Sequence, residues 1–71
     1  MKIEEYDIIA LNQPLQTIHK ETQQPILLRC GQIGTVLEIL DEAIYLIDFS
    51  DANGQTYAME TVAASQVMPL F

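Results

Sequence analysis

The chain has a single cysteine, no tryptophan and only three basic residues among its 71. Cys30 alone cannot close an internal disulfide, so nothing here asks for an oxidising compartment. No apolar run approaches the roughly 20 residues of a membrane-spanning helix. The start, Met1-Lys2-Ile3-Glu4-Glu5, is too acidic for a signal peptide, and the expected location is the cytoplasm. The shortage of Lys and Arg is the most telling of these gaps. Residues 1–35 carry a net charge of −1, while residues 36–71 hold Glu38, Asp41, Glu42, Asp48, Asp51 and Glu60 with no base at all. A nucleic-acid binder gains affinity by neutralising phosphates with Lys and Arg, and this chain would repel phosphate over its whole second half. The same field would steer in a basic protein, and it also serves solubility.

What remains is the composition of a folded chain, 49% apolar and 18% charged. Its length allows one domain over residues 1–71 and too little for two. A chain of this size buries about 60% of its unfolded surface, which supports one small core.

Tyr6-Asp7-Ile8-Ile9-Ala10-Leu11 is a short run rich in β-branched and aromatic residues, stopped by Asn12-Gln13-Pro14, and predicts a first strand. From Asn12 to Arg29 the pattern breaks. Pro14 and Pro25 interrupt it, Thr17 to Gln24 is polar, and a long loop is expected there, with Ile18 and Ile26-Leu27-Leu28 turned inward as anchors. Beyond Cys30 the chain reads as β. A strand is expected over Gln32–Leu40, opened by Gly31 and Gly34, then another over Ala43–Phe49. Asn53-Gly54 supplies the positive φ that a hairpin turn wants, and Gln55–Val62 follows as a strand. Ala63–Gln66 suits a single 3₁₀ turn. Val67–Leu70 closes the series, at a sheet edge because Pro69 cannot donate to a ladder. Five short strands in this order predict an all-β, SH3-like five-stranded barrel. An OB-like barrel is disfavoured because no segment is long enough for its helix.

Period-two alternation assigns one face of the three central strands as core: Leu37 and Ile39, Tyr45, Ile47 and Phe49, Tyr57 and Met59. The opposite face reads Val36, Glu38 and Leu40, then Ile44, Leu46 and Asp48, then Ala58, Glu60 and Val62. A bulge at Gly34, in strongly bent strands, would switch this parity and bring Val36 inside. An outer face of a free barrel should be mostly polar. This one is mostly apolar with three carboxylates set into it, which points to a protein-binding patch. The expected patch is an acidic cluster of Glu38, Asp48 and Glu60, bordered by Leu40, Ile44, Leu46 and Val62.

No catalytic chemistry is expected. His19 stands beside Lys20 and Glu21 with too few neighbours for a metal site or a catalytic pair, so it reads as a solvated loop histidine. Cys30 next to Arg29 reads as a buried small residue rather than an activated thiol. Gly31-Gln32-Ile33-Gly34 lacks the Lys-Ser/Thr of a phosphate loop. Neither a metal nor a cofactor is expected.

Gly31-x-x-Gly34-Thr35-Val36-Leu37-Glu38, followed by Tyr45-x-Ile47-x-Phe49 and Gly54-x-x-Tyr57-Ala58, resembles an uncharacterised bacterial family of short SH3-like proteins, family 4926 of the domains of unknown function. The resemblance runs from Tyr6 to Leu70, with a first loop longer than expected. It implies an SH3-like fold and no known catalytic residue. Such short proteins look like the partner half of two-gene bacterial modules, as antitoxin or immunity proteins whose target is encoded by an adjacent gene. Gly-x-x-Gly-x-Val also resembles the core of KOW-type ribosomal and transcription-factor barrels, which are basic where they bind RNA. The leading expectation is thus a non-catalytic module that neutralises a basic protein. The alternatives are an accessory subunit docked on a larger enzyme or electron-transfer complex, and a KOW-like nucleic-acid binder, which the charge opposes.

Overall fold

A computed structural model describes residues 2–70. The chain is all-β, with one 3₁₀ turn and no α-helix among the described residues. Seven strands follow in order: β1 (Ile8–Leu11), β2 (Leu15–Ile18), β3 (Pro25–Leu28), β4 (Ile33–Asp41), β5 (Ile44–Ser50), β6 (Thr56–Ala63) and β7 (Val67–Pro69). Five form one antiparallel sheet in the order β6-β5-β4-β1-β7, and β2 and β3 form a separate two-stranded sheet. β6 and β7 lie at opposite ends of the large sheet, so the expected closed five-stranded barrel is not what the chain forms.

The expected long loop is a second correction. Residues 15–28 form a β-hairpin in which Leu15, Gln16, Thr17 and Ile18 pair with Leu28, Leu27, Ile26 and Pro25. Pro25 is tolerated because it stands at the first position of an edge strand. Alternation sends Leu28 and Thr17 into the interior and leaves Ile26 half-buried, while Ile18 and Leu27 stay exposed rather than anchoring inward. His19 closes the tip, its Nδ1 accepting the amides of Glu21 and Thr22 at 3.2 and 3.3 Å. Its ring lies parallel to that of Tyr57, 5.8 Å between centroids. It is a half-buried, turn-forming residue. Cys30, expected inside, is exposed.

The remaining elements follow the sequence closely. Gly31 turns the chain into β4 at φ +92°, and Gly54 sits at φ +79° in the turn between β5 and β6. Asp51 Oδ1 ties that turn by accepting the amides of Asn53 and Gln55. The 3₁₀ turn Ala64–Gln66 is closed by Gln66 Oε1, which accepts the Ala63 amide at 2.8 Å. β7 is an edge strand and ends at Pro69, where a missing N–H costs least.

Strand registers correct the face assignment, because residues directly opposite share a face. Thr35 pairs with Asp48 and Val36 with Ile47, but Glu38 pairs with Leu46, so Leu37 is an extra residue in β4. That bulge lies three residues beyond Gly34 and has the anticipated effect: Val36 is fully buried. On β6, Phe49, Ile47 and Tyr45 face Ala58, Glu60 and Val62, so these three look inward and Met59 looks out. The interior accepts this reversal because it matches sizes across strands. Gly34 lets Phe49 and Ile47 approach so closely that any Cβ there would meet Ile47 Cγ2 at 2.6 Å, and small Ala58 stands opposite Phe49. The core comprises chiefly Ile9, Leu11, Val36, Ile47, Phe49 and Val62.

Candidate functional site

The structure divides the seven residues of the expected patch. Glu38, Leu46, Asp48 and Ile44 lie on the outer face of the β4–β6 meander. Glu38 stands opposite Leu46, and Asp48 stands two residues further along β5. Asp48 also accepts the Ser50 hydroxyl at 3.2 Å, which fixes its carboxylate. Ile44 and Leu40 are exposed, and Leu46 is half-buried between its neighbours. A second register shift between Ile39 and Asp41 leaves Leu40 unpaired at the end of β4.

Glu60 and Val62 do not join them. Val62 is buried in the core, and Glu60 faces the interior, where Thr17 Oγ1 donates to its Oε2. The parity of β6 is the reason: Tyr57 and Met59 are larger and more apolar than Ala58 and Glu60, and by size alone they belong inside. The inner position beside β2 instead goes to a carboxylate because a hydroxyl from the hairpin satisfies it. In place of the lost pair, Met59 stands opposite Asp48, Thr61 opposite Leu46 and Ala63 opposite Ile44. The outer face is therefore still largely apolar; Glu38 and Asp48 remain of the three expected carboxylates, and Asp41, opposite Ile44, stands on the same face.

The electrostatics of the face are simple. It carries acids and no base, since the last basic residue of the chain is Arg29. Lys20 lies at the hairpin tip, its amide on the Tyr57 carbonyl. Burial, and after it the charge of Asp51, raises the Tyr57 hydroxyl above its ordinary value. Among the described residues no group of three His, Cys, Asp or Glu side chains converges in a way that would hold a metal ion. A depression of about 490 Å³, lined by Lys2, Ile3, Ile39, Glu42 and Tyr45, opens at the far end of β4. No helix among the described residues is long and apolar enough to cross a membrane. What this arrangement offers chemically is a surface, with Leu and Ile side chains to bury and carboxylates to pair.

Neither the curated proteins nor the solved structures contain a match to this chain. A family model does match, over residues 5–69, which is nearly the whole sequence. The chain belongs to the family described as Domain of unknown function (DUF4926).

Proposed function

We propose that this protein is a non-catalytic binding module of SH3-like architecture that neutralises a basic protein in the cytoplasm, as antitoxin and immunity proteins do. The SH3-like reading is supported by the order of parts: a first strand, a hairpin, a three-strand meander, one 3₁₀ turn and a short last strand on β1. The observation that carries the functional reading is the outer face of the meander. Leu40, Ile44 and Leu46 stay at least partly open to solvent there, Glu38 and Asp48 stand among them, and residues 36–71 contain no Lys or Arg. A face that served solubility alone would carry interleaved charges of both signs. Acids on an apolar ground suit a partner with the reverse pattern, which would be steered in fast at low salt and held by apolar burial.

The test is direct titration of the purified product of an adjacent gene, where that product is small and basic, against the wild type and against Glu38→Lys with Asp48→Lys. A slower on-rate and weaker affinity for the double variant, with an unchanged NMR dispersion, supports the reading. Equal affinity for both proteins across a salt series overturns it.

A further inference from the structure

The same sheet has a second outward surface, on its β7–β1–β4 side. Alternation along β1 sends Ile9 and Leu11 into the core and leaves Ile8 exposed, with Ala10 on the face of Ile8 though itself buried. Ala10 pairs with Ile33 on one side and with Met68 on the other. Leu70 donates its amide to the Ile8 carbonyl and so stands beside it. Ile8, Ile33, Met68 and Leu70 thus surround a buried Ala10, and each of the four is between 42% and 50% exposed. Just before Ile8, Tyr6 adopts φ +71°, a region that costs a side-chain-bearing residue energy, and the residue is 72% exposed. Its amide is tied to the Val36 carbonyl, so the strained residue is held in place.

We infer that this β7–β1–β4 face is the anchoring surface for a partner protein that is apolar at the centre of its contact and basic around it. The inference rests on the binding-module reading above and assigns the two halves of the sheet different tasks: the meander acids steer, and the β1 side anchors. Charge selects the occupant. Ile8 stands opposite Thr35, which stands opposite Asp48, so the apolar patch runs into the acidic one along a single row. Glu4 and Glu5 lie beyond Tyr6. Of the three bases, Lys20 is at the hairpin tip and Lys2 lines the depression beside Glu42, which leaves only Arg29, at the turn before Ile33, to border the patch. A second copy would bring another net charge of −7 against the first. Four half-exposed side chains make a small contact beside the roughly 800 Å² per partner of a standard interface, and like charges would weaken it further. An opposite charge on the partner supplies what area does not.

The probe is a short amphipathic Lys/Leu peptide titrated into the ¹⁵N-labelled chain, beside a Lys/Ser peptide of equal charge and a Glu/Leu peptide of reversed charge. The expected result is saturable shifts at Ile8, Ile33, Met68 and Leu70 with Lys/Leu alone. Affinity should fall about tenfold in Ile8→Ser with Met68→Ser. Should that pair perturb the fold, Leu70→Ser alone, outside the strands, should give a smaller loss in the same direction. Equal binding of either control peptide overturns the assigned chemistry. Shifts confined to the Glu38 and Leu46 region overturn the anchoring face while leaving the binding-module reading intact; no binding of Lys/Leu anywhere overturns both. Self-association abolished by Ile8→Ser with Met68→Ser would make the occupant a second copy, and saturable binding to phosphatidylglycerol vesicles would make it a membrane. Either result ends the proposal.

Discussion

Thr17 Oγ1 donates a hydrogen bond to Glu60 Oε2 across 43 residues of sequence, and with it the hairpin is fastened to the inner side of β6. Thr17 is buried, so its hydroxyl has no exchange with water to fall back on. Thr17→Val keeps the shape and leaves a carboxylate facing the interior without its donor. The expected cost is about 1–3 kcal/mol in urea unfolding, and Glu60→Lys should cost at least as much. In a double-mutant cycle, Thr17→Val with Glu60→Gln should be less harmful than the sum of the two. Additive losses would mean that the pair does not couple.

Glu38→Lys and Asp48→Lys make the contrasting case. Both positions lie on the outer face, and neither carboxylate holds another element in place. Unfolding midpoints should stay within about 0.5 kcal/mol of wild type, or rise slightly as like charges are separated. Losses above about 1 kcal/mol would place these carboxylates in the framework of the fold and not on a free surface.

Gly34 is defined by closeness and Gly31 by backbone. A Cβ at Gly34 would stand 2.6 Å from Ile47 Cγ2 and 3.0 Å from Phe49 Cε1, whereas at Gly31 it meets nothing but must live at φ +92°. Gly34→Ala should cost about 1–3 kcal/mol through overpacking. Ile47→Ala makes room, so the Gly34→Ala and Ile47→Ala pair should be better than additive by about 0.5 kcal/mol or more. Gly31→Ala should show no such coupling.

Tyr57 sets a dependence on alkaline pH. Burial, then the Asp51 charge, raises its hydroxyl above the ordinary 10.0. The folded chain therefore holds this proton more tightly than the unfolded one. By linkage the hydroxyl leaves stability untouched well below pH 10 and lowers it as the pH climbs from 10.0 through the folded value. Between about pH 9 and about pH 11, wild type should lose more stability than Tyr57→Phe. Parallel pH profiles for the two proteins would contradict this.

The strand-forming stretches were legible wherever punctuation was strong. Asn53-Gly54, Gly31 and Pro69 marked turns and an edge that the structure keeps, and the 3₁₀ turn before Val67 was visible as a segment too short for anything else. The hairpin over residues 15–28 was hidden because Gln16, Thr17 and Pro25 give it no clean alternation, and its inward residues are only Thr17 and Leu28 with two half-buried neighbours. The outer face was half legible. β5 alternates regularly, so Ile44, Leu46 and Asp48 were assigned correctly, but periodicity cannot count an extra residue at Leu37. Nor can it reveal that Glu60 has a hydroxyl waiting across the interior. Those two facts depend on which strand lies opposite, and that information is not local.

Ile9 and Pro69 are paired across sixty residues, with nearly the whole sequence between them. Only the three residues of β7 hold that seam. β7 is then the strand best placed to detach first, and when it leaves, Met68 leaves with it and Leu70 loses its hold on Ile8. A partner seated across β1 and β7 would act as a latch on this seam. Its arrival would be seen in slowed hydrogen exchange at Met68 and Leu70 before any change in the core.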